Sequence, residues 1–80
     1  MDNFLIPATI TFETENAWLL EVVDQDTGEI LQQYDNRSGK SVDEGWFPKS
    51  VVTMKNDGIF DVPKWLMEKK RIDNGKWEGY

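Results

Sequence analysis

Neither cysteine nor histidine occurs anywhere in the 80 residues, and the two absences remove most of the common reaction chemistry. There is no disulfide to staple the fold, no thiol nucleophile, no imidazole base and none of the usual zinc ligands. No apolar run approaches the roughly 20 residues that cross a bilayer, and the N-terminus lacks the basic start and apolar core of a signal peptide, so a cytoplasmic protein is expected. No internal repeat, linker or low-complexity tract divides residues 1–80, which read as a single domain. A domain of this length buries only about 60% of its unfolded surface, so its core is small.

What is present is charge of one dominant sign. The formal net charge is -6, unevenly placed: residues 1–44 hold ten acidic and two basic side chains, residues 45–80 five acidic and seven basic. An acidic first half repels nucleic acid and favours basic protein surfaces. The same carboxylates would also serve to keep a small domain in solution.

Ala8, Ile10 and Phe12 alternate with Thr9, Thr11 and Glu13, the period of a half-buried strand, with Pro7 near its start. After a turn at Asn16, the segment Trp18-Leu19-Leu20-Glu21-Val22-Val23 is apolar on both faces, as a central strand requires. The residues Asp24 to Gly28 predict a compact turn, and Ile30–Tyr34 the returning strand of a hairpin. Asp35 to Gly45 is too polar to be ordered by burial and reads as a long loop. Trp46 and Phe47 open another strand, broken at Pro48 and continued by Ser50 to Met54. Asp57-Gly58 predicts a tight turn into a short strand over Ile59–Val62. Pro63 suits the first position of a helix, whose stripe Val62, Trp65, Leu66 and Ile72 should dock on the sheet, with Asn74-Gly75 as its end. Trp18, Trp46 and Trp65 are expected in the core, and Trp77 outside it.

The fold class expected is α+β, with four to five short antiparallel strands in a curved sheet followed by one C-terminal helix. This order resembles the four-strand-plus-helix plan of PC4-like single-stranded DNA-binding domains, which dimerise, and a small open barrel closed by the helix is the alternative. Leu19 and Val23, opposite Trp18, Leu20 and Val22, would leave an apolar sheet face, from which a homodimer is expected.

Motif chemistry is sparse. Gly39-Lys40-Ser41 lacks the earlier glycine of a phosphate loop, since Tyr34 stands there. Asp24, Asp26 and Gly28 lack the ligand ladder and the twelfth-position glutamate of a calcium loop, where Asp35 falls. Ser50 has no base or oxyanion site indicated. No catalytic, metal or cofactor residue is assigned.

Trp46-Phe47-Pro48-Lys49-Ser50 followed by Val62-Pro63-Lys64-Trp65-Leu66-Met67-Glu68-Lys69-Lys70 resembles a W-x-P-K-S, V-P-x-W-L-x-x-K-K pattern of small, uncharacterised bacteriophage accessory proteins. The resemblance covers roughly residues 17–71 and carries no assigned active site. It implies a compact strand-rich fold with one short helix in an infected or lysogenic bacterial host. The function expected is a non-catalytic binding protein that modulates or inhibits a host or defence enzyme through a protein interface. An acidic, nucleic-acid-mimicking surface of Asp24, Asp26, Glu29, Asp35, Asp43 and Glu44 is the candidate binding set. The alternative is a single-stranded nucleic-acid binder using Lys64, Lys69, Lys70, Arg71 and Trp77, where aromatic and basic side chains would meet bases and phosphates.

Overall fold

A computed structural model describes residues 3–72. Within them lie seven strands and one helix: β1 Asn3–Glu13, β2 Ala17–Val22, β3 Gln33–Asp35, β4 Lys40–Val42, β5 Gly45–Pro48, β6 Thr53–Asn56, β7 Ile59–Pro63 and α1 Lys64–Lys69. Five strands form one antiparallel sheet in the order β5-β2-β1-β7-β6, and β3 with β4 forms a separate two-stranded sheet. The class is α+β, as expected: a curved antiparallel sheet and a C-terminal helix.

β1 is the organising strand, because β7 pairs with its first half, Asn3 to Pro7, and β2 with its second, Ala8 to Glu13. The changeover has a chemical cause in Pro7. Val23 N–H donates to the Pro7 carbonyl at 3.0 Å, but proline has no N–H to return, so the ladder between β1 and β2 stops there. Pro7 thus lies inside the strand rather than near its start. The sheet then curls over itself. Trp18 pairs with Glu13 and Phe60 with Ile6, positions separated by about 24 Å along a straight strand at ~3.4 Å per residue. Their rings nevertheless meet edge to face at 5.2 Å, which requires strong coiling of β1.

Part of that coiling comes from a bulge between Ile10 and Phe12. Ile10 opposes Leu20 while Phe12 opposes Leu19, so one inserted residue moves Phe12 to the other face. Of the expected buried row, Ala8 alone is buried; Ile10 and Phe12 are exposed. The core comprises Ile6, Ala8, Trp18, Leu20, Val22, Phe47, Val52, Phe60, Val62, Leu66, Met67 and Ile72.

Three expected elements differ. Ile30–Tyr34 returns only beside the end of β2, where Leu31 N–H donates to the Val22 carbonyl at 2.8 Å. It makes a single bridge, Val23 to Ile30, because the edge of β2 from Ala17 to Leu20 is taken by β5. The β5 pairing places Phe47 fully inside the core, more apolar burial than Gln32 or Gln33 would supply. The expected loop 35–45 contains β4, and Gln33 to Asp35 pair with Lys40 to Val42 as a hairpin. Side-chain bonds substitute for burial there: Ser38 Oγ donates to Asp35 Oδ2 at 3.0 Å and the Arg37 N–H to Asp35 Oδ1 at 3.2 Å. The strand expected from Trp46 to Met54 is two strands, split where Val51 and Val52 N–H groups both turn back to the Pro48 carbonyl.

The turn at Asp57-Gly58 joins β6 to β7 as expected. Pro63 is the N-cap of α1, with extended ψ of 145°, one position earlier than expected. The helix ends at Lys69, well before Asn74-Gly75, which lies outside the described residues. Arg71 N–H donates to the Glu68 carbonyl and Ile72 N–H to that of Met67, the paired closing bonds of a Schellman cap. Arg71 occupies the left-handed position, φ 55°, where glycine is usual. Leu66 and Met67 are the helix residues that enter the core, and Trp65 is exposed. Leu19 and Val23, expected to form an open apolar face, are half-buried. Phe12, Trp46 and Leu5 are large exposed side chains on the face of Leu19.

Candidate functional site

An open groove of about 900 Å³ runs along the free edge of β5, between the β3–β4 hairpin and α1. Its position follows from adjacency in the sequence. In a strand, neighbouring side chains face opposite ways, so of Trp46 and Phe47 one must leave the core. Phe47 is buried and Trp46 is 46% exposed. On α1 the same contest between Trp65 and Leu66 sends Leu66 inward and leaves Trp65 54% exposed. Both tryptophans, expected in the core, therefore border the groove. Trp46 is braced by Phe12, edge to face at 6.2 Å. The signal available in the sequence was the doubling itself, two large apolar residues in succession on short elements.

The two candidate residue sets are each divided by the fold. From the acidic set, Asp35, Asp43 and Glu44 line the groove, while Asp26 and Glu29 are exposed outside it. Asp24 is 5% exposed, which removes it from any acidic surface; its Oδ1 accepts the Asp26 N–H at 2.8 Å and shapes the turn. From the basic set, Lys69 and Lys70 line the groove and Lys64 is exposed outside its walls. Arg71 stacks on Tyr34 instead. Trp77 lies outside the described residues.

The charges at the groove have definite neighbours. Glu44 accepts a hydrogen bond from Thr11 Oγ1 at 2.5 Å, and Asp43 accepts one from Gln32 Nε2. Ser38 and the Arg37 backbone hold the Asp35 carboxyl below its usual pKa by hydrogen-bonding its charged form. Lys70 is held below the usual lysine value, first by burial and then by Lys69; its amine sits 4.5 Å from the centre of the Phe47 ring. Among the described residues, ion pairs form at Lys49 with Glu13 and at Lys55 with Asp61, both away from this groove.

Beneath Gly45 the carboxamide of Gln33 is 1% exposed. Its Nε2 donates to the Leu20 carbonyl at 3.0 Å, and its Oε1 has no partner among the described residues. A Cβ at position 45 would overlap that oxygen and come within 3.1 Å of Lys70 Nζ. Glycine is needed here for close approach. No group of three or more acidic side chains that could hold a metal ion occurs among the described residues, and no helix among them is long and apolar enough to cross a membrane. No known protein family, curated protein or solved structure matches this chain.

Proposed function

We propose that the chain is a non-catalytic binding protein of phage-accessory type, acting on a host or defence protein through an interface centred on the groove at β5. The observation that supports this is the exposure of Trp46 and Trp65 on either side of one concavity. A domain with a twelve-residue apolar core gains most by burying tryptophan. Exposed tryptophans beside polar rims are typical anchors of protein interfaces. Affinity capture from bacterial lysate at low salt tests the reading. The parent should retain a protein partner that Trp46→Ser with Trp65→Ser does not; equal recovery, or none by either, overturns it.

A second reading, single-stranded nucleic acid, is favoured by Lys69 and Lys70 sharing the groove with both tryptophans. Against it stand Asp35, Asp43 and Glu44 in the same groove and the net charge of -6, since phosphate neutralisation supplies most non-specific affinity. Tryptophan fluorescence titrated with a mixed-sequence oligonucleotide at low salt separates the two, and absence of quenching disposes of the nucleic-acid reading.

A further inference from the structure

The free edge of β5 offers a defined set of main-chain groups. Lys49 N–H donates to the Asn16 carbonyl at 2.8 Å. With the register that pairs Phe47 to Trp18 and Gly45 to Leu20, alternation makes Lys49, Phe47 and Gly45 the residues bonded to β2. Trp46, between them, turns both its N–H and its C=O to the open edge. Pro48, the next outward position, has no N–H, and its carbonyl accepts from Val51 and Val52. The edge thus presents one donor and one acceptor, enough to anchor a residue of an extended chain and too few to template a growing sheet.

Two of the carboxylates beside that anchor are not paired with a cation among the described residues. Asp43 and Glu44 accept hydrogen bonds from uncharged partners, Gln32 and Thr11. Three cations, Arg37, Lys69 and Lys70, line the same groove. The Lys70 amine lies over the Phe47 ring, and none of the three forms an ion pair with Asp43 or Glu44. The groove thus holds carboxylates and cations together, with Asp43 and Glu44 left for a basic side chain of a partner and tryptophan on both sides.

We infer that the groove takes an extended peptide segment of another protein, bonded through its main chain to Trp46, with an apolar side chain against Trp46 and Trp65 and an arginine or lysine against Asp43 and Glu44. This rests on the protein-interface reading above and adds the chemistry of the partner. The carboxylates that attract a basic side chain repel phosphate, and a second copy of this chain brings the same net charge of -6 to the contact.

Panning a random peptide library on the full chain tests it without presupposing a partner. The expected result is a consensus with a basic residue at fixed spacing from an apolar or aromatic one. Calorimetry with the synthetic consensus peptide should show binding about tenfold or more weaker for Trp46→Ala, as for truncation of an interface anchor. Asp43→Asn with Glu44→Gln, the first exposed and the second half-buried, should weaken it and flatten its dependence on salt, with circular dichroism unchanged. An acidic consensus, no enrichment, or peptide binding indifferent to Trp46→Ala overturns the inference. So does an oligonucleotide that outcompetes the peptide, or a doubled mass in light scattering that Trp46→Ser abolishes. Lysate capture that depends on the tryptophans while the library yields no basic consensus removes the peptide inference and leaves the broader reading standing.

Discussion

The guanidinium of Arg71 lies 4.1 Å from the centre of the Tyr34 ring, and this contact ties the end of α1 to the β3–β4 hairpin. The backbone adds a second tie, since Tyr34 N–H donates to the Lys70 carbonyl at 2.7 Å. One wall of the groove is thereby fixed to the other. The arrangement keeps an arginine in the left-handed region, φ 55°, at a cost of about 1 kcal/mol relative to glycine. An exposed cation–π contact contributes about 0.5–1 kcal/mol, so the two nearly offset.

That balance sets the first prediction. Arg71→Ala keeps the backbone cost and loses the ring contact, and should destabilise by about 0.5–1 kcal/mol. Arg71→Gly removes both and should be more stable than the alanine variant by about 1 kcal/mol. Urea denaturation of the three proteins checks the order. An alanine variant as stable as the glycine one would mean that the left-handed conformation is not maintained in solution.

The two tryptophans that the sequence could not distinguish should separate by stability. Trp18 is 8% exposed and meets Phe60 edge to face, so Trp18→Ala should cost about 3–5 kcal/mol. Trp65, 54% exposed, should cost under about 1 kcal/mol on truncation. Thermal melts of both variants decide it, and a Trp65→Ala protein as damaged as Trp18→Ala would return Trp65 to the core.

Local signals carried the parts of this fold that local chemistry controls. The strand around Ala8, the apolar run from Trp18 to Val22, the Asp57-Gly58 turn and Pro63 ahead of a helix were all legible. What was not legible is decided between distant segments. The edge of β2 could accept either Ile30–Tyr34 or Trp46-Phe47, and Phe47 wins it by burial that only the assembled core reveals. Similarly, a bulge at Thr11 inverts the side of Phe12 without any glycine or proline to mark it. For the site, Asp43, Glu44, Lys69 and Lys70 were all candidates, but in opposing sets. The hairpin that brings them to one groove is held by Asp35 and Ser38, polar residues whose local bonds imitate a loop composition.

Gly45 should prove intolerant of even a methyl group. A Cβ there overlaps Gln33 Oε1, and moving the carboxamide aside would disturb its Nε2 bond to the Leu20 carbonyl. Gly45→Ala is expected to cost about 1–3 kcal/mol, as for overpacking elsewhere. In a Gln33→Ala background the same change should cost less, because the obstructing carboxamide is gone. A double-mutant cycle measures the coupling, and strictly additive effects would locate the strain somewhere other than the Gln33 contact.

Lys70 gives the fold a pH dependence whose sign can be worked out. Burial, then Lys69, holds its amine below the ordinary value of 10.5, although Asp35 opposes this. For a base whose pKa is lower folded than unfolded, the unfolded chain binds more protons between the two values. Stability therefore rises with pH across that window. Below the folded-state pKa the cost of holding the charge is present in full, and it fades as pH climbs toward 10.5. Lys70→Met keeps the stem over Phe47 and removes the charge, so its stability should lack this contribution. Urea midpoints compared across the alkaline range should show the parent gaining on Lys70→Met as pH rises, with the difference constant near neutrality. Curves that stay parallel up to 10.5 would show that the amine reaches water freely in the folded protein, and with it that the wall of the groove behind Gly45 is more open than its geometry indicates.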